Sequence, residues 1–212
     1  MPIAASRSRR RLAPKERKAL ILDHTAAMIA REGVAQLSVE RIGKEAGISK
    51  SLVYAYFPNL TELLRELYQR EMKRFRRLQA EAAATATTFE ELVRSITHVY
   101  LTYMHQQGLL IERLQSEPSV SQAHDPTEFS RDRAVDYLTE IVIHHFDLPH
   151  DIARAATDIS FGLPASAGAY LQRGNLDLKT LEDLTVTMII GTIVHVKDEY
   201  VVRRQPLRAP KS

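Results

Sequence analysis

Apolar positions recur along this chain at helical spacing from about residue 13 to 203. Leu22, Thr25, Ala26 and Ile29 form one stripe that begins after Pro14, a residue suited to the first helical position, and stops at Gly33. Val39, Ile42, Gly43 and Ala46 repeat at i, i+3, i+4 and i+7, with Ser38 ahead of them as an N-cap and Gly47 behind them as a stop. Ser49 then caps a second short helix, Lys50 to Tyr56, whose Val53 points inward with Ile48. Two short helices joined by a tight glycine-containing turn read as a helix-turn-helix, whose second helix fits a DNA major groove.

Beyond Pro58 the elements lengthen. Asn59 with Glu62 opens a helix that runs to about Ala84, and Thr88 with Glu91 opens another by the same capping pattern. That helix is expected to break at Gly108. A short helical stretch near Leu110–Leu114 leads into a polar loop, and Asp125-Pro126 starts the next helix. Two last helical stretches span about 151–172, with a kink expected at Pro164, and 178–203. Gly162, Ala165, Ser166, Ala167, Gly168 and Ala169 in the first, and Gly191 and Thr192 in the second, permit close helix approach. Such a hairpin can pair across a two-fold axis into a four-helix bundle, so 151–203 is expected to form a homodimer. The fold class is all-α: a basic arm at 1–12, a helix-turn-helix domain at 13–58, a helical body at 59–205 and a tail at 206–212.

In order and spacing, Ser38-Val39, Ile42-Gly43, Ala46-Gly47-Ile48-Ser49-Lys50-Ser51 and Tyr54-Ala55-Tyr56-Phe57 resemble the TetR family of bacterial transcriptional regulators. Upstream, Ile21-Leu22-Asp23 and Ile29-Ala30-Arg31-Glu32-Gly33 resemble that family's first helix and its glycine stop. The resemblance covers about the first third of the chain. It implies a homodimer on palindromic double-stranded DNA and an effector cavity among the middle helices. A ligand there moves the long linking helix and releases the operator, the behaviour of a repressor. Leu52 and Leu60 depart from the pattern, standing where relatives carry a Thr or Ser and a Lys that reach phosphates.

Charge sharpens this picture. The formal balance of +3 divides into +6 over residues 1–60 (11 Lys or Arg against 5 Asp or Glu) and −3 over the rest (18 against 21). A basic head on a mildly acidic body suits a protein that offers one end to nucleic acid. Lys50, Ser51, Tyr54 and Ala55 are expected to face base edges. Lys44 and the hydroxyls of Tyr54 and Tyr56 are expected at phosphates, with core packing the competing role for the Tyr56 ring, and Ser49, the cap of the second helix, is a further DNA-binding candidate. Arg9 and Arg10 are expected in an arm that follows the backbone or an adjacent minor groove, the alternative being a solvated tail.

Chemistry in the body is sparser. His98, Tyr103, His105 and Tyr137 are candidates to line a cavity for a largely hydrophobic effector with a few polar handles. The run from His144 to Asp151 holds imidazoles and carboxylates, but adjacent histidines point apart and Pro149 interrupts the spacing, so no metal site is expected. Without cysteine there is no thiolate chemistry, and no nucleophile or phosphate-loop motif is present; neither catalysis nor a cofactor is expected. No apolar run approaches the roughly 18 residues needed to span a bilayer, and a cytoplasmic protein with no membrane contact is expected.

Overall fold

The computed structural model describes residues 13–121 and 126–199. Among these the elements are helices: α1 Pro14–Glu32, α2 Val39–Glu45, α3 Lys50–Tyr56, α4 Leu60–Thr85, α5 Phe89–Gln115, α6 Pro118–Ser121, α7 Pro126–Phe146, α8 His150–Ser160, α9 Gly162–Leu171 and α10 Leu178–Lys197. No helix of the described residues is long and apolar enough to cross a membrane. The chain falls into two compact units. The first is drawn from Met1–Tyr68 and Leu110–Gln122, the second from Gln69–Leu109 and Ala123–Ser212.

In the first unit the caps do what the sequence asks of them. The Ser38 hydroxyl accepts the Arg41 N–H at 3.2 Å, Ser49 accepts from Leu52 at 3.2 Å, and Asn59 Oδ1 accepts from Glu62 at 2.8 Å. Each satisfies a first-turn N–H that a helix leaves without a partner. Between α2 and α3 the chain reverses at Gly47, whose φ of +67° lies in the left-handed region. Ile21, Ile29, Ile42, Val53, Phe57, Leu63 and Leu67 are each at most 1% exposed and form the interior of this unit.

The second unit holds two buried clusters. In one, Val142 and Phe146 of α7 join Leu148, Ala153 and Ala156 of the following turn and α8, and Ile193 of α10. In the other, Leu101 of α5 packs with Ala167 of α9 and Leu181 of α10. Asp147 ends α7 with a φ of 54°, a conformation that Asp tolerates better than most side chains, and Pro149 follows before α8.

Of two expectations about this unit, one is corrected and one is met. Gly108 does not break its helix, for α5 continues to Gln115. The glycine answers a packing need. Gln172 donates from Nε2 to the Met104 carbonyl at 3.1 Å, and a Cβ at position 108 would lie only 2.8 Å from that nitrogen. The kink expected from Pro164 is present. The helix breaks at Phe161, between α8 and α9, because a proline at 164 offers no N–H to the Ser160 carbonyl four residues back and its ring crowds that carbonyl.

Candidate nucleic-acid interface

The outward side of α2 and α3 carries the side chains expected to meet DNA. Lys44, Ser49, Lys50, Ser51, Tyr54 and Ala55 are all exposed, Tyr54 to 46% despite its aromatic ring. Tyr56 is half-buried, between its two expected roles, and Phe57 is buried. Leu52 is half-buried, so the departure from the family pattern at that position leaves no large apolar group in solvent. Arg9 and Arg10 lie outside the described residues.

The reading face is tethered at its margins. Lys50 Nζ lies 3.8 Å from Glu40 Oε2, and both side chains are more than half exposed, so the pairing is weak and readily exchanged for a phosphate. The Ser49 and Ser51 hydroxyls are 3.0 Å apart, which links the cap of α3 to its second residue.

Behind the face, side chains distant in sequence hold α2 in place. Arg41 is exposed on α2 beside Lys44, and its guanidinium turns back, donating to Glu32 Oε2 and to the Gln36 carbonyl. Glu32 also accepts from Arg31 Nε at 2.8 Å, and Arg31 reaches Glu45 at 3.4 Å. Hydrogen bonds from Arg41 first, then from Arg31, hold the Glu32 carboxyl below the usual carboxylate range. Arg41 and Glu32 are 9 residues apart and Arg31 and Glu45 are 14 apart, beyond the spacing of neighbours on one helix face, so local pattern could not pair them.

In the second unit the four candidate effector residues divide. Tyr103 is 4% exposed, and its hydroxyl is within 3.0 Å of both the carbonyl and Oε2 of Glu71, itself 3% exposed. Burial first, and the Glu71 charge next, push the phenol well above its ordinary range. Phe75 packs against both Tyr103 and Tyr100, with ring centroids 4.9 and 5.6 Å apart. His98 lies on the exposed side of α5, its Nδ1 2.7 Å from Oε2 of the buried Glu182. His105 and Tyr137 are exposed. Tyr103 and the two histidines therefore occupy different faces of α5. Among the described residues no cluster of three or more His, Cys, Asp or Glu side chains is placed to hold a metal ion.

Comparison with known proteins bears on the first unit most directly. Residues 21–67, which run from α1 into α4, match the family model described as bacterial regulatory proteins, tetR family. Over these residues the chain is similar to the N-terminal segment of that family's proteins. A fatty acid metabolism regulator protein of Bacillus subtilis is 32% identical over 78 residues, which make up 36% of this chain and 40% of that protein. An HTH-type transcriptional repressor of Streptomyces coelicolor is 37% identical over 59 residues, 28% of this chain and 31% of the other. The chain thus spans less than half the length of these two relatives. Likeness of fold extends further: a TetR-like transcriptional regulator from a Rhodococcus species superposes with a TM-score of 0.68 at 20% identity, over 87% of this chain and 99% of that one.

Proposed function

We propose that this TetR-family protein is a sequence-selective DNA-binding regulator of transcription, a repressor that acts as a homodimer and leaves its operator when a small hydrophobic effector binds the helical body. The observation that carries the reading is the capped turn unit. It exposes Lys50, Ser51, Tyr54 and Ala55 together while burying Val53 and Phe57 beneath them. An amine, two hydroxyls and a methyl on one short helix suit base edges and phosphates in a major groove. The sequence match over residues 21–67 and a repressor among the relatives agree with it.

Pairing of two chains is supported by the C-terminal helices. On α9 the exposed residues Gly162, Ala165, Ser166, Ala169 and Tyr170 follow one stripe, and on α10 Leu184, Met188, Gly191, Thr192 and His195 follow another. Leu184 and Met188 are 48% and 47% exposed, and Ile159 near the end of α8 is 73% exposed. Small and apolar side chains at helical spacing suit a self-complementary helix–helix contact. A dimer also supplies the two heads that a palindromic site requires, with half-sites about 34–36 Å apart.

Selection of random duplexes on the purified protein, repeated at two salt concentrations, tests the reading. A palindromic winner bound by two chains supports it, and purely unselective, salt-sensitive binding counts against it. A monomer in solution would favour instead a DNA-anchored protein whose exposed apolar stripe receives another protein.

A further inference from the structure

We propose that Arg113 is a positioning residue that ties α5 to the reading unit by way of the end of α1, without touching DNA itself. The inference rests on the reading of α2 and α3 as the DNA-binding element.

Helix α5 begins in the second unit at Phe89, and its last residues, from Leu110, belong to the first. From that last segment the half-buried Arg113 donates through Nη1 to the carbonyls of Ile29 and Ala30, the latter at 2.9 Å. Both carbonyls lie in the last turn of α1; that of Ile29 also accepts the capping Gly33 N–H at 2.9 Å, and that of Ala30 is among those a helix end leaves without an intrahelical donor. A cation there also meets the negative end of the helix dipole. Two residues further on, Glu32 accepts from Arg41 of α2, and the neighbouring Arg31 reaches Glu45 at the end of α2. The C-terminus of α1 is therefore where a cation from α5 and the ion pairs of α2 converge. A displacement of α5 along its axis reaches α2 through a junction only a few residues long.

The end of α5 and the short α6 that follows it have other anchors, which separate their seating from this tie. Gln115 Nε2 donates to the Tyr68 hydroxyl at 3.1 Å, and Arg65 Nε donates to the Ser119 carbonyl at 2.8 Å. Loss of Arg113 accordingly leaves α5 held against α4 and removes the tie to α1.

The test uses the full chain with Arg113→Met and Arg113→Lys, after thermal melts show both folded at the working temperature. Two readouts are taken: hydrogen exchange over residues 29–33, and affinity for the selected palindromic duplex against a scrambled one. With Arg113→Met, exchange at the end of α1 should accelerate and affinity for the selected duplex should fall about tenfold, the scale of a hydrogen bond to a charged group. Affinity for the scrambled duplex should not change, and Arg113→Lys should restore part of both effects. Combined with Arg41→Met, the loss of selectivity should be less than the product of the single losses, because both act through one junction. Unchanged exchange and selectivity in Arg113→Met would overturn the proposal. So would an equal loss on both duplexes, which marks a phosphate contact. If the unaltered protein prefers no duplex, the DNA-reading proposal fails by itself, and exchange over residues 29–33 still decides whether Arg113 holds α1.

Discussion

Gly47 and Tyr103 show how single residues carry this fold in two different ways. At φ +67° a Cβ would crowd the following carbonyl, so Gly47→Ala should lower unfolding free energy by about 1–2 kcal/mol. A denaturant titration measures this, and the slope should not change. Tyr103 matters through its hydroxyl. Tyr103→Phe leaves the Glu71 carboxylate buried with one donor fewer, at a cost of about 1–3 kcal/mol. Because the folded phenol titrates above its ordinary value of 10.0, its contribution is complete below that pH and is lost progressively as pH rises beyond it. The Phe variant should lack that alkaline loss. Glu32 behaves in the opposite sense. Its carboxyl is held below the ordinary value of 4.5, so its support of the α1–α2 junction is present above that pH and fades as pH falls through the folded value. Hydrogen exchange over residues 29–45 at falling pH should show the junction opening, and Glu32→Gln should flatten that dependence.

At the scale of elements, what the sequence made legible was what local rules govern. Ser38, Ser49 and Asn59 fixed three helix starts, and Gly33 and Gly47 fixed two stops, because caps and left-handed turns depend on neighbours a few residues away. Pro164 belongs with them, since its effect falls on the carbonyl four residues back and the helix breaks at Phe161. Gly108 misled: it is read locally as a breaker, yet α5 runs through it, and its neighbour Gln172 lies 64 positions along the chain. The reading face was legible because its exposed positions alternate with Val53 and Phe57 at helical spacing. Arg41 and Arg113 were not, since a basic residue on a helix gives no sign of which distant carboxylate or carbonyl it will meet. The exposed stripes of α9 and α10 carry their own prediction. If they pair two chains, Met188→Glu should shift the protein from dimer to monomer in light scattering while the far-ultraviolet helical signal persists.

For the molecule as a whole, the proposed function asks the basic, capped helix-turn-helix unit to choose a DNA sequence and the helical body to pair two chains and take a ligand. The division of charge, +6 over the first 60 residues and −3 over the remainder, favours presentation of one end to a polyanion. Charge alone gives attraction without choice of sequence, so selectivity must come from the α3 side chains. Lys50 and Tyr54 are the two to remove. Both are exposed, so replacing them with Ala should alter folding stability by no more than about 0.5 kcal/mol each. The most direct measurement is the affinity of the protein and of its Lys50→Ala/Tyr54→Ala variant for the selected palindrome and for a scrambled duplex of equal length, at fixed salt. The account predicts that the unaltered protein prefers the palindrome by at least about a hundredfold, and that the variant loses most of that preference while still binding both duplexes weakly. Equal binding of the two duplexes by the unaltered protein, or an undiminished preference in the variant, would contradict the claim that α3 reads DNA.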